Sequence, residues 1–282
     1  MRGFRDSQAF VFGAALLVAA TGSVASAPPS VAQSIVATGE SFIASRLLPG
    51  FQTENGGRIA GLRLSMEPGW KTYWRTPGET GIPPKFDWSA SDNIESVKIH
   101  WPRPALFVSF GMLTAGYGDV VVLPIELTPS DPDRAMRLSL SAELGVCREI
   151  CVFEHVSQSL DIAPETPPIG QRQIKSALRR VPSVPENAEV TVAACDLGRS
   201  GQDQMLSANL QFKNMPENPV VLVENTDGLW IKRTTQDVDE QSLDLGIYFS
   251  APEDRPWIDR SSFRMTVLTP TAAYDLHGCN TG

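Results

Sequence analysis

Four cysteines, Cys147, Cys151, Cys195 and Cys279, are the residues of this 282-residue chain best suited to chemistry. Two of them fall in the stretch Gly145-Val146-Cys147-Arg148-Glu149-Ile150-Cys151-Val152-Phe153-Glu154. Thiols this close can exchange electrons with another disulfide, close a structural bond, or bind a soft metal ion. Chain order favours pairing Cys147 with Cys151 and Cys195 with Cys279. In the chain-entropy account, closing the five-residue ring adds about 2 kcal/mol of stability. The second pair lies 84 positions apart, and the same account gives about 4.6 kcal/mol. The wide ring therefore reads as a staple. The narrow one stabilises little and opens more readily, which suits exchange. Arg148 favours a thiolate, whereas Glu149 and Glu154 oppose one.

Two other uses of the same residues compete with exchange. Cys147, Cys151 and His155 stand at i, i+4 and i+8, a candidate set for Cu(I) or Zn(II). The protein would then be a Cu(I)-binding chaperone. Alternatively, all four cysteines are structural and the chain is a non-redox interaction module. His100 and His277 show no comparable grouping.

The elements that must position these cysteines are strands. Alternation runs through Ile59–Met66 and Arg137–Ala142, and Val120–Leu127 reads as a more fully buried strand. Pro124 within that strand predicts a sheet edge or a bulge. Turn signals recur at Pro49-Gly50, Asn55-Gly56-Gly57, Pro68-Gly69 and Pro77-Gly78. Strands punctuated this way predict an antiparallel sandwich. A proline-rich stretch, 164–186, interrupts the pattern, with a short helix expected around Ile174 and Leu178. Strand patterns then resume at 189–194, 206–212, 220–223, 243–249 and 263–268. The expected organisation is a leader at 1–32, a first sandwich at 33–163, the linker, and a second sandwich at 187–282. No strand–helix alternation long enough for a thioredoxin-like layout occurs.

The leader carries Arg2 and Arg5 before an apolar run over 9–20, too short to anchor in a bilayer. Cleavage is expected after Ala25, Ala27 or Ala32, with Pro28 disfavouring the middle site. The mature chain is expected to be exported, with no membrane span after cleavage. Export to an oxidising compartment turns close thiols into disulfides. The formal charge of −8 and the lack of a Lys/Arg run exclude a nucleic-acid partner. No nucleophile elbow or phosphate loop is present.

A second block sharpens this reading. Pro68-Gly69-Trp70-Lys71-Thr72-Tyr73-Trp74-Arg75-Thr76-Pro77-Gly78 is followed by Pro83-Pro84, Trp88, Trp101-Pro102-Arg103-Pro104 and Gly116-Tyr117, and then by the cysteine pair. From about Ser41 to Ile162, this order resembles the periplasmic N-terminal domain of the DsbD and ScsB family of thiol:disulfide interchange proteins. The resemblance implies an immunoglobulin-like sandwich, hence an all-β chain of two such sandwiches joined by a short helical linker. It implies protein-disulfide reductase activity at Cys147 and Cys151 with no cofactor. By analogy, Cys151 attacks the partner and Cys147 resolves the mixed disulfide. The implied partners are a membrane electron-donor protein on one side. On the other stand periplasmic thioredoxin-like proteins, including those that mature cytochromes or handle metals. Two features depart from the family pattern: the cysteines are closer than in its best-studied branch, and Phe153 stands where a proline is common. The sequence also shows no membrane conduit and no thioredoxin-like domain, so either a separate membrane protein supplies the electrons or the domain has another job. The aromatics Trp70, Tyr73 and Trp74 have three readings: packing in the core, a cap over the disulfide, or a sugar-stacking face.

Overall fold

A computed structural model of the chain describes residues 41–279, apart from 79, 110, 202 and 251–256. The expected leader lies outside the described residues.

The first sandwich is built from β1 (Ile43–Gln52), β2 (Arg58–Met66), β3 (Lys71–Gly78), β4 (Lys85–Asp87), β5 (Ile94–Ile99), β6 (Ala105–Ser109), β7 (Met112–Gly118), β8 (Val120–Pro129), β9 (Met136–Cys147) and β10 (Cys151–Ile162). One sheet runs β1-β2-β8-β5. The other runs β10-β9-β3-β7-β6, with β4 also pairing β9. All these pairings are antiparallel. Period-2 alternation decides what each strand buries. β2 sends Ala60, Leu62 and Leu64 inward, β8 sends Val121, Leu123, Ile125 and Leu127, and β9 sends Leu138, Leu140, Ala142 and Leu144.

Pro124 departs from the edge expectation, because β8 lies inside its sheet, between β2 and β5. A strand residue points its carbonyl and its nitrogen to the same side. The Pro124 carbonyl accepts from the His100 backbone N–H at 2.9 Å. Its ring nitrogen therefore faces the place where β5 has just ended at Ile99, so no ladder donor is lost.

After the first sandwich comes α1 (Gln171–Leu178). It buries Ile174 and Ala177 against Leu48 and Val122, so the linker helix docks on the first sandwich. The second sandwich comprises β11 (Val190–Ser200), β12 (Asp203–Phe212), β13 (Val220–Asn225), β14 (Trp230–Val238), β15 (Ser242–Ser250), β16 (Phe263–Leu268) and β17 (Ala273–His277). Its sheets run β11-β12-β15-β14 and β13-β16-β17. Leu206, Leu210, Leu245, Ile247 and Phe249 of one sheet meet Val221, Phe263, Met265 and Val267 of the other. β14 carries no apolar alternation, which is why sequence pattern misses it; it lies at a sheet edge and is mostly exposed.

Cys195 on β11 bonds Cys279, two residues beyond β17, with both sulfurs inside the core. The bond thus ties one sheet to the other. Replacing both cysteines with alanine should lower the unfolding free energy of the second sandwich by about 4–5 kcal/mol, read from the urea midpoint. The same change at Cys147 and Cys151 should cost about 2 kcal/mol.

Candidate thiol–disulfide site

The cysteine pair closes the β9–β10 hairpin. Cys147 and Cys151 stand directly opposite in the ladder, with Cα atoms 4.1 Å apart, and are disulfide-bonded. Three residues make the turn, closed by the Arg148 N–H donating to the Ile150 carbonyl at 3.0 Å. Of the two shapes open to a five-residue ring, helical turn or strand turn, the fold adopts the second.

The two sulfurs have unequal surroundings. Cys147 is 2% exposed, whereas Cys151 is exposed. The difference comes from β3, which pairs with the end of β9 through Lys71 opposite Cys147 and Thr72 opposite Val146. Thr72 Oγ1 donates to the Gly145 carbonyl at 3.0 Å, which pins this short ladder. Tyr73 follows. Its hydroxyl donates to Cys147 Sγ at 3.1 Å and lies 3.7 Å from Cys151 Sγ. Tyr73 is 4% exposed, and burial pushes its phenol above the ordinary tyrosine range. It therefore stays protonated, and a donor, at neutral pH. Ile82 covers Gly145 on the same face; a side chain there would come within 2.7 Å of the isoleucine, so the cover needs glycine.

On the β10 side the face is open. Cys151 and Phe153 share it by strand alternation, and Phe153 is 75% exposed. Ile150, in the turn, is 66% exposed. An exposed sulfur with two exposed apolar neighbours is one that a visiting protein could reach.

The charges around the pair differ from the linear reading. Glu154 points to the other face of β10 and accepts from the Phe42 N–H at 2.8 Å and the Ser41 hydroxyl at 3.0 Å. It does not oppose a thiolate. Arg148 lies over the Trp70 ring, 5.5 Å from its centroid. Lys71, opposite Cys147, lies 4.9 Å from the Phe107 ring centroid, and burial lowers its pKa.

The aromatic block divides. Trp74 is fully buried in the core, and Trp70 stacks on Phe42 at 3.9 Å in the same cluster. Trp88 and Trp101 pack at the core's rim with Phe86. Of Trp70, Tyr73 and Trp74, it is Tyr73 whose side chain meets the sulfurs.

The fold does not gather the copper set. His155 lies four residues along β10 from Cys151, opposite Glu143, and its ring faces Ser141 at 3.5 Å. Four residues of strand span roughly 13 Å, so His155 cannot share a metal ion with the two sulfurs. The i, i+4, i+8 spacing would gather ligands only on a helix, and this segment is a hairpin.

Residues 43–162 match the family model for the N-terminal domain of the thiol:disulfide interchange protein DsbD. That match spans the first sandwich from β1 to β10. The cysteine hairpin and the Trp70–Arg75 block both lie inside that match. The chain is also similar to the crystal structure of the N-terminal periplasmic domain of ScsB from Proteus mirabilis. The TM-score is 0.65 and the identity 23%, covering 85% of this chain and 93% of that one. That likeness extends the shared fold past the DsbD-type domain. No curated protein matches the chain.

Tyr73→Phe should raise the Cys147 thiol pKa by about one unit. A hydrogen bond to a charged group contributes about 1.5–3 kcal/mol, and one unit is about 1.4 kcal/mol. Thiolate absorbance against pH reads it. An unchanged pKa would mean that the phenol does not serve the thiolate.

Proposed function

We propose that this chain is an exported thiol–disulfide exchange protein of the periplasm, carrying electrons through Cys147 and Cys151. The observation that carries the reading is the asymmetry of the pair: an exposed Cys151 bonded to a buried Cys147 whose sulfur accepts the Tyr73 hydroxyl. The DsbD-type domain match and the periplasmic ScsB domain support both the chemistry and the compartment. Among the described residues, no helix is long and apolar enough to cross a membrane.

The chemistry runs in two halves. A donor dithiol attacks Cys151 Sγ, the accessible sulfur, and Cys147 leaves as a thiolate. The Tyr73 hydroxyl stabilises that thiolate as it forms, which makes Cys147 the better leaving group. The donor's second thiol then displaces Cys151. The pair has gained two electrons and two protons, and the donor is oxidised to a disulfide. In the second half the Cys151 thiolate attacks an acceptor disulfide, forming a mixed disulfide. Cys147 then attacks Cys151 Sγ, and the acceptor departs as a dithiol. No cofactor takes part.

The donor in this reading is a membrane protein, and the acceptors are periplasmic thioredoxin-like proteins. Ile150 and Phe153 form the apolar contact that either partner would cover. Tyr73 serves as donor and cover for Cys147, whereas Trp70 and Trp74 are assigned to packing. Cys195–Cys279, buried and spanning two sheets, is assigned to stability. The proposed division of the chain keeps 33–163 as the redox sandwich, 164–186 as the linker and 187–282 as the second sandwich.

Three measurements test the proposal. Equilibration with glutathione should give a Cys147–Cys151 potential above about −300 mV; a value far below that marks a structural bond and sinks the electron-carrier reading. Cys147→Ser, expressed in the native host, should accumulate partners joined covalently to Cys151, whereas Cys151→Ser should accumulate none. Ile150→Ser with Phe153→Ser should slow exchange with a captured partner by about tenfold or more while leaving exchange with glutathione unchanged.

A further inference from the structure

The second sandwich has no part in the scheme above, yet it reaches the strand that carries Tyr73. On β3, Lys71, Tyr73 and Arg75 share one face by alternation. Tyr73 meets the sulfurs, and Arg75, two residues on, crosses to the second sandwich. The Arg75 Nε donates to both oxygens of Glu224 on β13, at 2.9 and 3.1 Å. Its Nη2 donates to Thr266 Oγ1 on β16 at 3.1 Å. Thr76, the next residue, donates its hydroxyl to Glu224 Oε2 at 2.5 Å. Glu224 also lies 3.3 Å from Arg264 on β16, which is bound to Asp275 on β17. Every strand of the β13-β16-β17 sheet therefore contributes to holding this short piece of β3.

The piece held is the one that leaves the ladders of the first sandwich. β3 pairs with β7 at Lys71, Thr72 and Tyr73, then not again until Gly78. Its pairing with β9 stops at Thr72. Over 74–77, cross-strand ladder bonds are replaced by Arg75 and Thr76 reaching Glu224, and by the burial of Trp74. The Arg75 side chain is 12% exposed, with its guanidinium 3.9 Å from the centroid of the Trp74 ring. A guanidinium so far out of water needs its carboxylate in place, so the contact is a fixed one rather than a surface pair.

We infer that Arg75, clamped by Glu224, is a positioning residue: the second sandwich sets where the Tyr73 hydroxyl stands and so tunes the Cys147–Cys151 couple. This rests on the exchange reading proposed above. With the clamp intact, the phenol is held at Cys147 Sγ and favours the thiolate, hence the dithiol over the disulfide. With the clamp weakened, β3 beyond Tyr73 loses its anchor and the phenol spends less time at the sulfur. The reaction is a balanced exchange: the disulfide and two glutathione thiols yield the dithiol and glutathione disulfide.

The test is a cycle of variants in the full chain, with the glutathione equilibrium constant of the Cys147–Cys151 pair as the readout. Glu224→Gln removes the charge and keeps the shape. It should shift the equilibrium by about threefold or more toward the disulfide, the scale of coupling between linked residues. In a Tyr73→Phe background the same substitution should shift it by less than half as much on a logarithmic scale. Lys232→Ala, which breaks a pair confined to the second sandwich, should leave the equilibrium unchanged. If Glu224→Gln lowers the melting temperature but leaves the equilibrium at the wild-type value, the inference is overturned. An equal shift with and without the phenol overturns it too. A wild-type pair that does not equilibrate with glutathione removes the exchange reading itself, an outcome distinct from both.

Discussion

The site depends on the register of one hairpin. Cys147 and Cys151 face each other because β9 and β10 pair residue for residue from that point to Ile162 opposite Met136. A slip of one position would put every β9 core residue on the wrong face. Leu138, Leu140, Ala142 and Leu144 are each nearly or wholly buried, so such a slip would expose the centre of the first core. The hydrophobic core therefore sets the sulfur geometry from a distance. The turn needs only to close three residues, and the Arg148–Ile150 bond does so.

That register makes the sulfurs neighbours without making them alike. The end of β9 is roofed by Tyr73 and Ile82, while the start of β10 has no roof among the described residues. One sulfur thereby lies open to solvent and the other in shelter. The second disulfide is the opposite construction. It joins two sheets across a wide ring inside a core, where no partner can reach either sulfur. The chain thus holds two bonds of the same chemistry that differ in ring size and in access.

The second sandwich gains meaning from the same geometry. Its core is separate from the first, yet Arg75 and Arg103 of the first sandwich both bond to it. Arg103 donates to the carbonyls of Thr269 and Pro270. Arg75 stands in the one stretch of β3 that leaves its own ladder. Backbone that leaves its ladder needs support from elsewhere, and here the nearby sheet supplies charged hydrogen bonds to it.

Much of this was legible in the chain itself. Alternation along Ile59–Met66 and Arg137–Ala142, dense Pro-Gly turns and the proline-bounded helix carry the all-β architecture, because period and turn chemistry are local properties. Chain order alone pointed to the two pairings the fold contains, Cys147–Cys151 and Cys195–Cys279. The fold had to decide the rest. Trp70, Tyr73 and Trp74 look equivalent in sequence, and only the strand paired beside β9 made Tyr73 the sulfur's neighbour, 74 residues away. His155 and Glu154 appeared to share the cysteines' surroundings. Strand geometry moved the histidine along the ladder and the glutamate through to the far face. Pro124 suggested an edge, but it sits inside a sheet where a neighbouring strand happens to stop. Arg75 and Glu224, 149 residues apart, carried no signal at all. Local spacing states which face a side chain takes; which distant strand lies against that face follows only from the order in which the sheets assemble.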